Sequence, residues 1–209
     1  MTFPPRVAIA PRNAHKLREL GRICADWPVD WITVERADPA SFPDVEETGS
    51  TYRENALLKA AAVAGALGAP AIADDSGIEV DALGGRPGHR SARFAGEAAT
   101  DDQNLDALLA AIRGVPGSGR TARYRCVAVM ADPAGNTWEA EGICDGHLVG
   151  ARRGEGGFGY DPLFVPAGWD RTMAELSAEE KDRISHRGRA FRALRELVAA
   201  AEGPPATPP

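Results

Sequence analysis

The chain has 209 residues, of which 44% are apolar and 26% are charged, and its formal net charge at pH 7 is -6. This composition is that of an ordinary globular protein, and it excludes the broad basic surface by which a protein grips duplex nucleic acid. No apolar run approaches the roughly 18 residues of a membrane helix, so we expect a cytoplasmic protein that binds neither nucleic acid nor a membrane. The length predicts a single domain over residues 1–202, followed by a disordered, Pro-rich tail at residues 203–209.

The first predicted elements are a strand at Arg6–Ala10 and a helix after it, whose apolar residues recur at helical spacing. Those residues are Leu17, Leu20, Ile23 and Cys24. Asn13 and Lys16 lie at the start of this helix, where backbone amides, the helix dipole and an ammonium group together favour phosphate binding. The alternative is that Asn13 serves only as the N-cap and that Lys16 is solvated.

A second helix is predicted to begin at a capping box formed by Thr51 and Glu54 and to end at Gly68. The apolar run Pro70–Ala73 then predicts a buried strand that ends at the acidic sequence Asp74–Gly77. Open α/β sheets bind ligands at the carboxyl ends of their strands, so the acidic pair is a candidate site.

Four carboxylates could serve a metal ion, namely Glu46, Glu47, Asp74 and Asp75. Magnesium prefers a few carboxylate oxygens and completes its coordination with water and substrate phosphates. The alternative for the two aspartates is a solvated Asx turn with Ser76–Gly77. The two glutamates could instead be acids that merely stabilise the start of the following helix.

Further along the chain, Thr100 and Gln103 predict the start of a third helix, which is expected to end at Gly114. Two strands, Ala122–Ala131 and Thr137–Cys144, are predicted to form a hairpin across a turn that contains Pro and Gly.

The three cysteines, Cys24, Cys126 and Cys144, lack the paired spacing of a zinc site. Their odd number argues against a secreted disulfide framework, so buried free thiols are expected. A bridge between Cys126 and Cys144 across the hairpin is the alternative.

The segment Gly150–Gly159 contains five glycines, which predicts a loop whose backbone can approach a ligand closely. At its end, Phe158 could stack on a base, and Asp161 could accept hydrogen bonds from ring nitrogens or sugar hydroxyls. The alternative is that Phe158 and Tyr160 form a buried aromatic pair that anchors the loop.

Near the end of the chain, Ser177 and Glu180 form another capping box, and a last amphipathic helix follows. The cations Lys181, His186 and Arg187 could donate hydrogen bonds to a carbonyl edge or a phosphate. Alternatively, they mark a polar helix start on a solvated face.

The mixed order of strands and helices, with a hairpin in the second half, predicts an α/β fold with a mixed sheet. The glycine pattern of dinucleotide-binding folds and the lysine loop of P-loop proteins are both missing, so neither fold explains the chain.

In order and wording these segments resemble the Ham1-like family of inosine triphosphate pyrophosphatases, also described as dITP/XTP pyrophosphatases. The resemblance covers nearly the whole chain. It rests on Asn13–Lys16, Glu46–Gly49, Glu54–Ala56, Asp74–Gly77, Leu83–Gly88, Ser91–Phe94, Gly157–Pro162, Glu175–Leu176, Lys181 and Ser185–Arg187. It implies an elongated ITPase-like α/β fold with a long mixed sheet, two lobes and a central cleft, and a homodimer. The implied activity is magnesium-dependent hydrolysis of ITP, dITP and XTP to the monophosphate and pyrophosphate.

Carried over residue by residue, the resemblance implies that Asp75 holds magnesium and accepts a proton, with Glu46 as a second metal-side acid and Glu47 as its substitute. Asn13 and Lys16 would hold the triphosphate. The nucleotide pocket would be lined by Ser76, Phe158, Gly159, Tyr160, Asp161, Lys181, His186 and Arg187.

The chain departs from the family pattern at two positions. Relatives commonly carry Thr or Ser in place of Pro11, and glycine in place of Arg12. Pro11 offers neither a hydroxyl nor a backbone donor, although Arg12 could supply a compensating charge to the substrate phosphates.

Two rival functions stay open: a phosphatase that releases single phosphates, and a nucleotide-binding sensor that has lost efficient cleavage.

Overall fold

The structure is a computed structural model that describes residues 3–36 and 41–201. The expected disordered tail at residues 203–209 lies outside the described residues. The strands are β1 (Arg6–Ile9), β2 (Asp30–Ile32), β3 (Ala71–Val80), β4 (Thr121–Ala131), β5 (Thr137–Leu148) and β6 (Phe164–Pro166). The helices are α1 (Ala14–Ile23), α2 (Tyr52–Leu67), α3 (Asp101–Ala111), α4 (Ala178–Ile184) and α5 (His186–Ala201).

The strands form one six-stranded sheet in the order β2-β1-β3-β4-β5-β6. β1 pairs in parallel with both β2 and β3, whereas β5 and β6 pair antiparallel. The sheet is therefore mixed, and the predicted α/β class is confirmed. The two three-residue strands β2 and β6 carry too few residues to show a periodicity, and the sequence did not predict them.

The chain divides into two compact units. The first comprises Met1–Asp74, Val127–Glu141 and Ala190–Pro209, and the second comprises Asp75–Cys126 and Gly142–Arg189. The long strands β3, β4 and β5 and the helix α5 each contribute residues to both units. Organisation as one domain over residues 1–202 stays a prediction.

The core of the first unit lies between α2 and the strands β1, β3 and β4. α2 presents small residues, among them Ala56, Ala60 and Ala64, which are fully buried. Small side chains let the helix backbone approach the sheet closely, and the same core contains Ala8 and Ala73 from the strands.

The core of the second unit is built from larger side chains. Leu105 and Leu108 of α3 pack in one cluster with Ile78 of β3, Tyr124 of β4 and Phe164 of β6.

Among the described residues, no helix combines the length and the apolar character needed to cross a membrane.

The predicted helix starts are confirmed. Thr51, Thr100 and Ser177 are N-caps of α2, α3 and α4, and each forms a capping box with the Glu or Gln three residues later. Gly68 ends α2 in the left-handed conformation, with φ of 59°. The expected end of the third helix was wrong, since α3 ends at Ala111 and not at Gly114.

The prediction that a strand ends at the acidic pair was also wrong. β3 continues to Val80, so Asp74 and Asp75 lie within the strand, and both are buried. Gly77 had suggested a turn, but its role is close packing: an added Cβ would overlap the carbonyl oxygen of Gly88. The solvated Asx turn is excluded by the same burial.

The predicted hairpin between β4 and β5 is confirmed. Gly135 has φ of 92°, its backbone N–H donates to the carbonyl of Asp132, and the Asp132 carboxylate accepts from the backbone N–H of Asn136. Cys24, Cys126 and Cys144 are free and buried, so no bridge joins the hairpin strands.

Candidate active site

The β1–α1 loop brings a lysine to the acidic part of β3 within the first unit. Lys16 Nζ lies 3.0 Å from Oδ2 of Asp74 and 3.5 Å from its carbonyl oxygen. The Asp74 side chain is 0% exposed and that of Lys16 is 17% exposed, so the expectation of a solvated lysine was wrong. A buried carboxylate requires such a counter-charge, because desolvation of an isolated charge is costly.

Asn13 is the N-cap of α1, as the alternative interpretation expected. Its side-chain oxygen accepts hydrogen bonds from the backbone N–H groups of His15, at 2.9 Å, and Lys16, at 3.2 Å. These two amides are therefore already satisfied within the helix start. Phosphate binding by this loop stays a prediction, and it would depend on the cationic side chains more than on these amides.

The departures from the family pattern lie in the same loop. Pro11 is buried, whereas Arg12 is exposed and lies 3.8 Å from a carboxylate oxygen of Asp44. A cavity of about 140 Å³ adjoins them. It is lined by Ala10, Pro11, Arg12, Pro43, Asp44, Val45, Lys59 and Val63.

The two glutamates of the acidic loop have different surroundings. Lys59 Nζ of α2 donates to Oε1 of Glu47 at 2.8 Å, so the charge of Glu47 is already offset. Glu46 is exposed to solvent. Since a metal competes with a bonded ammonium for Glu47, Glu46 is the better candidate ligand of the two.

Asp75 is the first residue of the second unit in β3 and is only 5% exposed. The carboxylate of Asp75 offers hard oxygen atoms of the kind that magnesium prefers, whereas the neighbouring Asp74 is already paired with Lys16 and, within a strand, points to the opposite face of the sheet. Among the described residues, no group of three or more His, Cys, Asp or Glu side chains forms a complete metal cluster. Joint binding of magnesium by Glu46 and Asp75 stays a prediction.

The cations near the end of the chain are buried, so the solvated helix start was wrong. Lys181 and His186 are each 5% exposed and Arg187 is 1% exposed. Arg187 Nη2 donates to Ser76 Oγ at 2.8 Å, which connects the start of α5 to the residue after Asp75. This bond joins two residues that the family resemblance assigned to the nucleotide pocket.

Phe158 and Asp161 lie against these cations in the second unit. Lys181 Nζ is 2.5 Å from Asp161 Oδ2 and 5.1 Å from the centroid of the Phe158 ring. The guanidinium carbon of Arg187 is 5.7 Å from the same centroid. The structure therefore assembles a ring face and two cationic donors from segments far apart in sequence.

The glycine-rich loop is held tightly around this cluster. Gly157 has φ of 71°, and a Cβ there would overlap the carboxylate of Asp161. The buried hydroxyl of Tyr160 donates to the carbonyl of Ser91 at 2.7 Å, and burial raises the pKa of that hydroxyl above its ordinary value. Tyr160 thus anchors the loop, and Gly159 with φ of 60° follows Phe158 in a conformation that favours glycine.

Sequence reasoning missed three residues of these groups: Lys59, Asp101 and Tyr124. Asp101, at the start of α3, accepts a hydrogen bond from the backbone N–H of Gly159 at 3.0 Å. Tyr124 was visible only as one buried position in the alternating pattern of β4, and its partners could not be deduced from that alternation.

Comparison with known proteins identifies relatives that cover nearly the whole chain. The profile described as the Ham1 family matches residues 7–197. A dITP/XTP pyrophosphatase of Geobacillus kaustophilus (strain HTA426) is 50% identical over 91% of this chain and 92% of its own length. A dITP/XTP pyrophosphatase of Streptomyces coelicolor (strain ATCC BAA-471 / A3(2) / M145) is 51% identical over 92% of this chain and 96% of its own length.

A solved structure described as a HAM1 protein has a similar fold. The structure of a HAM1 protein from Coxiella burnetii superposes with a TM-score of 0.83 and 37% identity, over 93% of this chain and 98% of the other. The resemblance based on the motifs and the expected ITPase-like fold are thereby confirmed.

Proposed function

Since the chain belongs to the Ham1 family, we propose that it hydrolyses the triphosphates of inosine, deoxyinosine and xanthosine to the monophosphate and pyrophosphate, which clears non-standard purines from the nucleotide pool. The names of its relatives support this activity. The structural observation that carries it is the placement of Lys181 and Arg187 at 5.1 and 5.7 Å from the Phe158 ring. An aromatic face beside two cationic donors suits a purine that carries an oxo group.

Base choice follows from the hydrogen-bonding character of these side chains. Lysine and arginine only donate, and hypoxanthine and xanthine present an accepting oxygen at the 6 position, where adenine presents a donating amino group. An adenine would set its donating amino group against these cationic donors, and no hydrogen bond could form between them, so we expect ATP to be rejected. Guanine shares the 6-oxo group, and its rejection must depend on the 2-position.

At the phosphates, Lys16 offsets charge on the leaving pyrophosphate, Asn13 shapes the start of α1, and Arg12 contributes a further cation. Asp75 accepts a proton from a water molecule as the water oxygen bonds to the α-phosphorus. The bond from the α-phosphorus to the bridging oxygen breaks, and pyrophosphate leaves in the same step. Positioning and charge stabilisation lower such barriers more than covalent chemistry does.

Magnesium belongs to the proposal, with Asp75 and Glu46 as the residues that would hold it. Asp75 and Glu46 offer the hard carboxylate oxygens that magnesium prefers, whereas Asp74 and Glu47 are already paired with Lys16 and Lys59, and this difference supports the assignment. When bound, the ion neutralises phosphate charge in the transition state. We extend the proposal to a location in the cytoplasm and to a homodimer. Light scattering of the purified protein would test the homodimer.

The activity test measures pyrophosphate and orthophosphate released from ITP, dITP, XTP, GTP and ATP by the purified protein with magnesium. We expect pyrophosphate from the first three, slow turnover of GTP and ATP, and complete loss of activity in EDTA. Orthophosphate as the product would favour the phosphatase, and equal turnover of ATP and ITP would contradict the proposed selectivity. Binding of ITP without turnover would favour the sensor.

Asp75→Asn tests the proposed base. The substitution keeps the shape of the side chain but removes the proton acceptor, so kcat should fall by about a thousandfold with a much smaller change in KM. Asp30→Asn, at the exposed first residue of β2, is the matched control and should keep full activity. Full activity of Asp75→Asn would remove Asp75 from this role.

A further inference from the structure

Tyr124 of β4 contacts two of the residues that the family resemblance assigns to the nucleotide pocket, Asp161 and His186. Its ring lies parallel to the imidazole of His186, with 4.5 Å between the ring centroids and 7° between the ring planes. Its hydroxyl donates to Oδ1 of Asp161 at 3.2 Å. The tyrosine is 6% exposed, so both contacts are shielded from water.

The contact with Asp161 completes the bonding of a buried carboxylate. Oδ2 of Asp161 accepts from Lys181 Nζ at 2.5 Å and from the backbone N–H of Phe158 at 2.9 Å, while Oδ1 accepts from Tyr124. Bonds to both oxygens fix the plane of the carboxylate. The carboxylate in turn determines where Lys181 holds its charge and where the Phe158 backbone lies.

The contact with His186 fixes the direction of its hydrogen bonds. The second side-chain torsion of histidine is broad, so the backbone of α5 alone does not determine the plane of the ring. Stacking on Tyr124 does determine it, and the two ring nitrogens can then bond only to groups that lie in that plane. Phe164 also packs against Tyr124 in an edge-on geometry, with 4.8 Å between the ring centroids, and this contact limits movement of the tyrosine.

We propose that Tyr124 is a positioning residue for purine recognition, which acts through Asp161 with its hydroxyl and through His186 with its ring. This inference rests on the proposed function, because that function places Lys181 and Phe158 at the base and the family resemblance puts His186 and Asp161 in the same nucleotide pocket. The contacts described for Tyr124 are with Asp161 and His186, which the family resemblance places in the nucleotide pocket, so we expect its loss to weaken binding of the base and to leave the chemical step unchanged.

Tyr124→Phe removes only the hydroxyl and keeps the stacked ring. We expect the KM for ITP and the Kd for inosine monophosphate, measured by calorimetry, to rise about tenfold, with kcat changed less than about twofold. The Kd for inorganic pyrophosphate should not change. Tyr124→Leu also removes the stacking and should weaken inosine monophosphate binding further than Tyr124→Phe does.

The matched control is Thr121→Val, three residues before Tyr124 on the opposite face of the same strand, which removes a hydroxyl that donates to the carboxylate of Asp81 at 2.8 Å. It should bind inosine monophosphate as the wild type does. Circular dichroism and thermal unfolding establish that each variant is folded. The Phe variant remains informative if the Leu variant does not fold, since it differs from the wild type by one oxygen atom.

The inference is overturned if Tyr124→Phe binds inosine monophosphate with the wild-type Kd, or if it loses kcat with an unchanged KM. Its failure differs from failure of the proposed function. Wild-type protein that binds inosine monophosphate but releases no pyrophosphate from ITP would contradict the activity and leave the role of Tyr124 standing. Wild-type protein that neither binds inosine monophosphate nor releases pyrophosphate from ITP would overturn both the proposed function and the role of Tyr124.

Discussion

At the scale of single residues, two buried carboxylates are each held by one lysine. Asp74 is paired with Lys16 in the first unit, and Asp161 is paired with Lys181 in the second. Each pair joins residues from different elements, so each lysine has both a structural and a proposed functional role. Removing one partner of such a pair leaves an uncompensated charge in a site of low dielectric.

Lys16→Met tests the structural role of the first pair. Since Asp74 is 0% exposed, loss of the ammonium should lower the free energy of unfolding by about 3 kcal/mol. The double variant Lys16→Met with Asp74→Asn also removes the uncompensated carboxylate charge and should recover most of the lost free energy of unfolding. Urea unfolding of the three proteins measures the difference, and a double variant no more stable than Lys16→Met would contradict the pairing.

At the scale of the element, β3 is the strand on which the candidate site depends. It carries the acidic pair in its interior and Ser76 directly after it. The strand continues through Gly77 because the missing side chain leaves room for the Gly88 carbonyl and the Ser91 hydroxyl. That hydroxyl accepts a hydrogen bond from the backbone N–H of Ile78 at 2.9 Å and so secures the second half of the strand.

Gly77→Ala tests this packing. The added methyl group would overlap the Gly88 carbonyl and the Ser91 hydroxyl, so we expect the free energy of unfolding to fall by about 3 kcal/mol, as overpacking typically produces. Gly65→Ala is the matched control in α2, where an added Cβ meets nothing within 4 Å. That control should be about 0.5 kcal/mol more stable than the wild type, because alanine favours a helix over glycine. Chemical unfolding of both variants compares them, and equal stabilities would refute close packing at Gly77.

At the scale of the whole molecule, several helix starts depend on ionised acids. Glu54 and Glu180 are the third residues in the capping boxes of α2 and α4, and Glu175 forms a capping box with Thr172 at the short 3-10 helix Met173–Glu175. Hydrogen bonds lower the pKa of each of these carboxyls. For Glu180 the largest cause is the guanidinium of Arg171, followed by the backbone N–H of Ser177, and the pKa falls to about 2. Depressed carboxyl pKa values make the folded state sensitive to acid.

The sign of the effect at Glu180 follows from its ionisation. The ordinary carboxyl pKa of 4.5 is depressed to about 2 in the folded chain, so the contribution to stability is present above pH 4.5 and is lost as pH falls towards 2. Glu180→Gln should therefore be less stable than the wild type at pH 7, and the difference should shrink between these two pH values. Urea unfolding across that range measures it. Glu179→Gln, at an exposed neighbour in the same helical turn, is the matched control and should be nearly as stable as the wild type at pH 7.

The sequence by itself determined the features that depend on near neighbours. The three capping boxes, the β4–β5 hairpin and the ordered motifs of the family could all be read from short segments, because caps and turns obey rules that act within a few residues. The motif residues Lys181, His186 and Arg187 were also identified, although their burial was not.

Only the tertiary structure decided what these residues touch. Lys16 meets Asp74 across 58 positions of the chain, Tyr124 meets Asp161 across 37, and Arg187 meets Ser76 across 111. Such contacts result from packing whole elements together, and no local pattern specifies them. For the same reason the sequence analysis wrongly predicted that β3 ends at its acidic pair. Gly77 could permit either a turn or the close approach of another segment, and only the tertiary structure shows that Gly88 and Ser91 pack against it.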